Sequence, residues 1–187
     1  MNENTPVILG LDISTSILGW SLLALEGSEF SLGYLPLASS GDIYDKAWEV
    51  RKLLHELAWK HNIQAAYVEE DLQRFRRGMS SAKTISLLTR FNGVVCQLTY
   101  EETKLKPGRI NVNAARKLAD VKYDKKDKSR TTKEKVFEAV RGLIEYDWPT
   151  RVVTRGKRKG ETEFEKGCYD MCDAWVIARA GKILYLE

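Results

Sequence analysis

Apolar residues in this chain fall into short runs at its start and into helical stripes further on. Two runs, Val7–Leu11 and Leu18–Leu25, flank a small polar turn at Ser14–Ser16. Short aliphatic runs bounded by a turn predict the buried strands of a hairpin. Glu29–Leu37 predicts a third extended run, and Gly33 and Pro36 mark it as an edge. From Asp42 the period changes: Ile43, Ala47, Val50, Leu53, Leu54 and Leu57 recur at helical spacing to about Lys60. Ile63–Asp71 returns to a short apolar strand that ends in acids. A helix opened by Ser80 or Ser81 and running to about Glu102 places Ile85, Leu88, Val95, Cys96 and Leu98 inside. Gly93 within it predicts close packing against the sheet, because glycine weakens a helix that gains nothing from it.

Pro107-Gly108 predicts a turn, Arg109–Val112 a short strand, and Asn113 the cap of a short helix, Ala114–Ala119. Val121–Arg130 is a basic polar loop without a packing period. Thr131 or Thr132 opens the next helix, with Val136, Ala139, Val140, Leu143 and Ile144 facing inward and Trp148-Pro149 as its stop. Thr150–Glu165 predicts a charged hairpin turning at Lys157–Gly160. Tyr169–Leu186 predicts an apolar helix carrying Ala174, Val176, Ile177, Ala180, Ile183 and Leu184, with Asp170 and Asp173 in its first turn. Three strands, helix, strand, helix, strand, then helices make a mixed central sheet with helices on its faces. This is one α/β domain over 1–187, with the hairpin at about 150–166 as an insertion.

The 187 residues suit one domain with a full core. No apolar run is long enough to span a bilayer. The N-terminus shows neither a signal-peptide core nor a basic presequence, which points to the cytoplasm (a host's, if the protein is viral) and away from an organelle. Three cysteines, Cys96, Cys168 and Cys172, form no CxxC pair and read as reduced thiols. His55 and His61 have no cysteine or second histidine cluster near them, so they read as surface or packing residues. The net charge of +4 is unevenly spread. Basic residues crowd Lys104–Lys135 and recur at Arg151, Arg155, Lys157, Arg158 and Lys159. Such blocks fit a polyanion partner or a solvated surface.

Four acids stand out by position. Asp12 ends a buried run, Glu69 or Glu70 ends another, and Asp170 and Asp173 open the last helix. A buried carboxylate is costly without a cation or hydrogen-bond donors. Taken singly, Asp12 also suits a turn cap, and the Asp170/Asp173 pair suits the positive end of a helix. Together, strand ends gather along one sheet edge, and residues three apart share a helix face. Clustered carboxylates with no histidine or cysteine set favour a hard divalent ion, Mg²⁺ or Mn²⁺. Two such ions stabilise the attacking and leaving oxygens of phosphodiester cleavage.

Three motifs carry a family resemblance. Val7-Ile-Leu-Gly-Leu-Asp12-Ile-Ser-Thr-Ser-Ile-Leu-Gly19-Trp, Ala66-Tyr-Val-Glu69-Glu and Tyr169-Asp170-Met-Cys-Asp173-Ala174-Trp-Val-Ile-Ala178 resemble, in order, the motifs of RuvC-type Holliday junction resolvases, which have the RNase H fold. The resemblance implies an RNase H-like α/β domain. It implies that Asp12, Glu69 (with Glu70 as the alternative), Asp170 and Asp173 bind two Mg²⁺, for which Mn²⁺ substitutes, and activate water against a DNA phosphate. Lys117 and Lys133 match the family's phosphate contacts. Leu72 matches its junction wedge by spacing and Phe75 by chemistry, in a loop that also holds Arg76 and Arg77. The family works as a homodimer on branched DNA, and the helix Ser81–Glu102 is the candidate dimer surface. Lys125, Lys126, Lys128 and Arg130 of the basic loop, and Arg155, Lys157, Arg158 and Lys159 of the hairpin, are further candidate DNA contacts. The expected activity is therefore Mg²⁺-dependent, structure-selective resolution of four-way junctions by paired symmetric nicks. Its competitors are an RNase H-like nuclease for flaps, branched DNA or RNA–DNA hybrids, and a junction-binding protein with little catalysis.

Overall fold

The computed structural model describes residues 4–38, 41–70 and 82–187. Leu72, Phe75, Arg76 and Arg77 lie outside them, as does the predicted helix start at Ser80 or Ser81. In order, the elements are β1 (Pro6–Ile13), β2 (Ile17–Ala24), β3 (Phe30–Pro36), α1 (Ile43–Lys60), β4 (Asn62–Glu69), α2 (Ala82–Thr103), β5 (Gly108–Ile110), α3 (Val112–Leu118), α4 (Thr132–Arg141), β6 (Thr150–Val152), β7 (Thr162–Phe164) and α5 (Gly167–Leu186). One sheet has the order β3-β2-β1-β4-β5, and β6 and β7 form a separate pair. The first three strands are antiparallel neighbours, whereas β4 and β5 run parallel to β1.

Strand β1 is buried at every position after Pro6, so both its faces are covered. Alternation divides them. Val7, Leu9, Leu11 and Ile13 pack with Leu54 and Leu57 of α1 and Val95 and Leu98 of α2. The intervening positions face α5, where a Cβ on Gly10 would sit 2.4 Å from the Ala174 carbonyl oxygen. Only glycine lets this helix lie so close to the central strand. Helix α5 is accordingly buried along most of its length, while α3 and α4 pack against it to complete the second core. Asp42 and Thr131 close reciprocal capping boxes on α1 and α4.

Several boundaries differ from expectation. The short strand ends at Ile110, and Asn111, not Asn113, caps α3 through the Asn113 N–H. Both asparagines suit a cap, but Val112 enters the helix and moves the cap to Asn111. Helix α4 ends at Arg141 with Gly142 as its cap, well before Trp148-Pro149, and this leaves Leu143 exposed. Leu184 is exposed as well, because the last turn of α5 runs beyond the sheet. Helix α5 begins at Gly167, two residues early, which puts Asp173 in its second turn. Gly93 does not meet the sheet: a Cβ there would touch nothing within 4 Å. It lies on the outer face of α2, with Leu87 and Tyr100 also exposed.

Candidate active site

The carboxylates meet because of local backbone geometry. Asp12 shares the α5-facing parity of Gly10, and its cross-strand partner on β2 is Gly19. A Cβ on Gly19 would stand 2.1 Å from the Asp170 carbonyl oxygen, so the start of α5 rests on Gly19 beside Asp12. On the other side, β4 pairs in parallel with β1 through Leu11↔Val68, which brings Glu69 level with Asp12. Tyr67 packs its ring where a Gly181 Cβ would be, hence towards α5. Glu69, two residues on, shares that face, while Glu70 follows the end of β4 and lines the same cleft as Asp12 and Glu69.

Two cations enter from separate helices. Lys133 Nζ, from the first turn of α4, donates to Asp170 Oδ1 at 3.4 Å. An Arg116 Nη of α3 lies 3.5 Å from Asp173 Oδ1, while its Nε is buried with no hydrogen-bond partner among the described residues. Burial pushes the Asp12 carboxyl well above the usual carboxylate range, and Asp173 and Asp170 push it further, against Lys133. Burial also raises Asp173, opposed by Arg116 and Lys133. Glu69 is raised by burial and by Asp173, with the same two cations opposing. At Lys133 burial works downward, but Asp170, Asp12 and Asp173 outweigh it and the net shift is upward.

Asp12, Glu69, Lys133 and Asp170 line a cleft of about 210 Å³, together with Ser14, Glu70 and Asn92. The oxygen-only donor set of four mutually repelling acids suits a hard divalent ion. Among the described residues, no three acid, histidine or cysteine side chains already stand around one point to hold it. Asp170 and Asp173 turn instead to Lys133 and Arg116, and binding a cation would require those carboxylates to swing inward.

The predicted basic residues divide. Lys133 reaches the acids. Lys117 is exposed and lines a shallow surface hollow with Arg116, Asp120, Lys122 and Lys125, and makes no ion pair with the site acids among the described residues. Its neighbour Arg116 takes the inward place, a residue that sequence reasoning missed. The signal was present in the face defined by Ala115, Leu118 and Ala119, since Arg116 borders it and Lys117 does not. Lys125, Lys126 and Lys128 lie in the 121–131 loop; Arg130 is paired there with Asp127 at 3.3 Å. Arg155, Lys157, Arg158 and Lys159 sit in the turn of the β6–β7 hairpin. Asn92, buried in α2 and lining the cleft, was also missed, since one polar residue in an apolar helix carries no distinguishing pattern.

With the geometry in place, known structures supply a comparison. The fold is the RNase H-like α/β class that the sequence predicts: a mixed five-stranded sheet between helices. Within that class it is the fold of RuvC. RuvC of Thermus thermophilus in complex with a Holliday junction substrate matches with a TM-score of 0.64 at 15% identity, covering 96% of this chain and 95% of that one. A second Thermus thermophilus RuvC structure matches with a TM-score of 0.60 at 16% identity, covering 96% of both chains. The yeast mitochondrial Holliday junction resolvase matches with a TM-score of 0.53 at 16% identity, covering 97% of this chain and 81% of that one. No protein-family model and no curated protein sequence matches the chain.

Proposed function

We propose that this chain is a structure-selective endonuclease that resolves four-way DNA junctions. The observation that carries this reading is the convergence of Asp12, Glu69 and the Asp170/Asp173 pair with Lys133 and Arg116 at one end of a RuvC-like sheet. Six ionisable groups from five elements do not meet in one partly buried place for packing reasons. The matched structures named for Holliday junction resolution support the substrate class.

In this reading Asp12, Glu69, Asp170 and Asp173 hold two Mg²⁺, with Mn²⁺ as a substitute. The ions would supply charge neutralisation at the phosphate and a lower pKa for the attacking water. Lys133 and Arg116, which hold Asp170 and Asp173 here, would supply positive charge to the phosphate beside the acids, and the unpartnered Arg116 Nε has a donor free for it. Met171, Cys172 and Val136 of the apolar core around α5 pack next to the acids and Lys133 and keep them in place. The DNA backbone lies over the cleft mouth, and Asn92 touches the strand from the α2 side.

Two symmetric nicks need two sites. The outer face of α2, where Gly93 leaves open surface beside the exposed Tyr100, is the proposed homodimer contact. Sedimentation of the wild type and Gly93→Glu tests it: a dimer that the substitution splits agrees, and a wild-type monomer on junction DNA refutes paired nicking by one dimer. Activity is tested by cutting a labelled four-way junction in Mg²⁺ beside flap, duplex and RNA–DNA hybrid controls. Paired nicks confined to the junction are expected. Equal cutting of flaps or hybrids would shift the substrate class, and binding without cutting in either metal would leave only a junction-binding protein.

A further inference from the structure

The β6–β7 hairpin is built to hold cations away from the body of the protein. Nearly every residue from Thr150 to Thr162 is exposed, so the hairpin has no core of its own. A lone two-stranded hairpin is marginally stable in water. This one is fixed at its root instead. Phe164 packs edge-on against Phe137 at 5.1 Å between ring centres, and the Arg141 guanidinium lies 4.6 Å over the Phe164 ring. Glu165 accepts a hydrogen bond from the Tyr34 hydroxyl, and its backbone N–H bonds the Pro149 carbonyl at 3.0 Å.

Charge is sorted along the hairpin. Arg151 pairs with Glu163 at 2.6 Å, and Arg158 spans Glu161 and Glu163 at 2.7 and 3.1 Å. These bonds lock the two strands and engage both acids. Arg155, Lys157 and Lys159 are left at the apex without an ion pair among the described residues. Gly156 and Gly160, with φ of 81° and 92°, close the turn that holds them together.

The root stands beside the candidate active site. Asp12 pairs across to Gly19, and Gly19 to Tyr34, which binds Glu165. Two strand spacings separate Asp12 from Tyr34, about 10 Å. Lys159 precedes Glu165 by six residues, at most about 20 Å of extended chain. With the length of the Tyr34 side chain added, the apex stands within roughly 35 Å of Asp12, about one turn of B-form duplex.

We propose that this hairpin is a second DNA-binding site, whose apex cations Arg155, Lys157 and Lys159 grip backbone phosphates of a duplex arm within about one helical turn of the phosphate being cut. The proposal rests on the nuclease reading for the position of that phosphate, but not for the binding itself. Phosphate contacts hold register and carry no base sequence, so the hairpin orients the arm and leaves sequence choice to other elements.

Binding of a labelled four-way junction in EDTA, from 50 to 200 mM salt, tests this with wild type and the triple variant Arg155→Gln/Lys157→Gln/Lys159→Gln. Three lost phosphate contacts lower the salt slope by about 2.7 for each hairpin engaged, so the fourfold rise in salt weakens wild type at least about 40-fold more than the variant, and further where both hairpins of a dimer bind. A second arm uses wild-type protein alone, so it does not depend on the variant folding. Neutral methylphosphonates replace the phosphates of one helical turn next to the crossover, and a weaker complex is expected. Equal slopes for the two proteins, or indifference of the wild type to the neutral arm, would overturn the proposal. An acidic protein partner for the hairpin would appear as that null result. Absence of cutting by wild type in Mg²⁺, with the binding difference intact, would remove the nuclease reading and keep this one.

Discussion

The two ends of α5 carry opposite charges, acids at the start and cations towards the far end, and treat them differently. At its C-terminal end Arg179 and Lys182 border a hollow of about 540 Å³, more than twice the size of the carboxylate cleft. Yet those cations are satisfied internally. Arg179 lies 5.2 Å over the Trp175 ring, and Lys182 Nζ donates to the Ala24 and Gly27 carbonyls at 2.7 and 3.2 Å. Lys182 thereby fastens the β2–β3 turn to the helix. At the N-terminal end, by contrast, buried carboxylates outnumber the cations that reach them, and burial opposes their charge. Volume does not mark chemistry here. Uncompensated buried charge does, because it is unfavourable until a ligand relieves it.

The sharpest way to break this contrast is Asp12→Asn. Cleavage of a four-way junction in Mg²⁺ is expected to fall by about 10³-fold or more, read from single-turnover rates. Stability should move the other way. The Asp12 pKa is raised on folding, so the folded state binds the proton more tightly than the unfolded one. Such a group leaves stability untouched below its unfolded pKa and lowers it progressively as pH rises towards the folded value. In EDTA at neutral pH the asparagine variant should therefore melt above wild type, and the gap should close as pH falls towards 4. A lower Tm for the variant across that range would show that Asp12 is a satisfied structural cap.

Arg116→Ala is the next largest expected effect, a loss of roughly 10²-fold in cleavage rate, the scale of one preorganised donor to a developing charge. Lys117→Ala should change that rate by less than about threefold and weaken DNA binding only slightly, as one exposed phosphate contact would. Measured side by side, the pair asks whether inward placement or mere basicity matters. Equal losses would mean that α3 presents Lys117 to the DNA and that the Arg116–Asp173 contact is structural.

What could be read beforehand follows the same physics. The strands, the order of the elements and the helix-borne acids were legible because β1, β2 and α5 are buried on nearly every side, which shows in the sequence as continuous apolar runs that the acids interrupt or open. Glu69 against Glu70 was not: both line the cleft beside Asp12, and what favours Glu69 is the face it shares with Tyr67, which shows only when Tyr67 packs beside Gly181. Gly93 misled for a related reason: a helical glycine signals close approach, but sequence does not say whether to the sheet or to open surface. Arg116 was legible, because it borders the face of Ala115, Leu118 and Ala119 on α3, but the family resemblance drew attention to its neighbour Lys117.

The smallest expected effects probe how far the two ends of α5 are independent. Gly19→Ala puts a methyl group against the Asp170 carbonyl and carbonyl carbon, at 2.1 and 2.4 Å before relaxation. Both contacts are backbone, so the start of α5 must shift. An overpacking cost of about 1–3 kcal/mol is expected in urea titrations. Cleavage should suffer beyond that cost, because the shift moves Asp170 relative to Asp12. Lys182→Met removes the two turn carbonyl contacts at the far end and should destabilise by about 1 kcal/mol. Cleavage per folded molecule should stay unchanged, since about three helical turns, roughly 18 Å, separate Lys182 from Asp170. A matching loss of cleavage in Lys182→Met would show that the helix transmits displacement along its axis, and the two ends would then have to be treated as one unit.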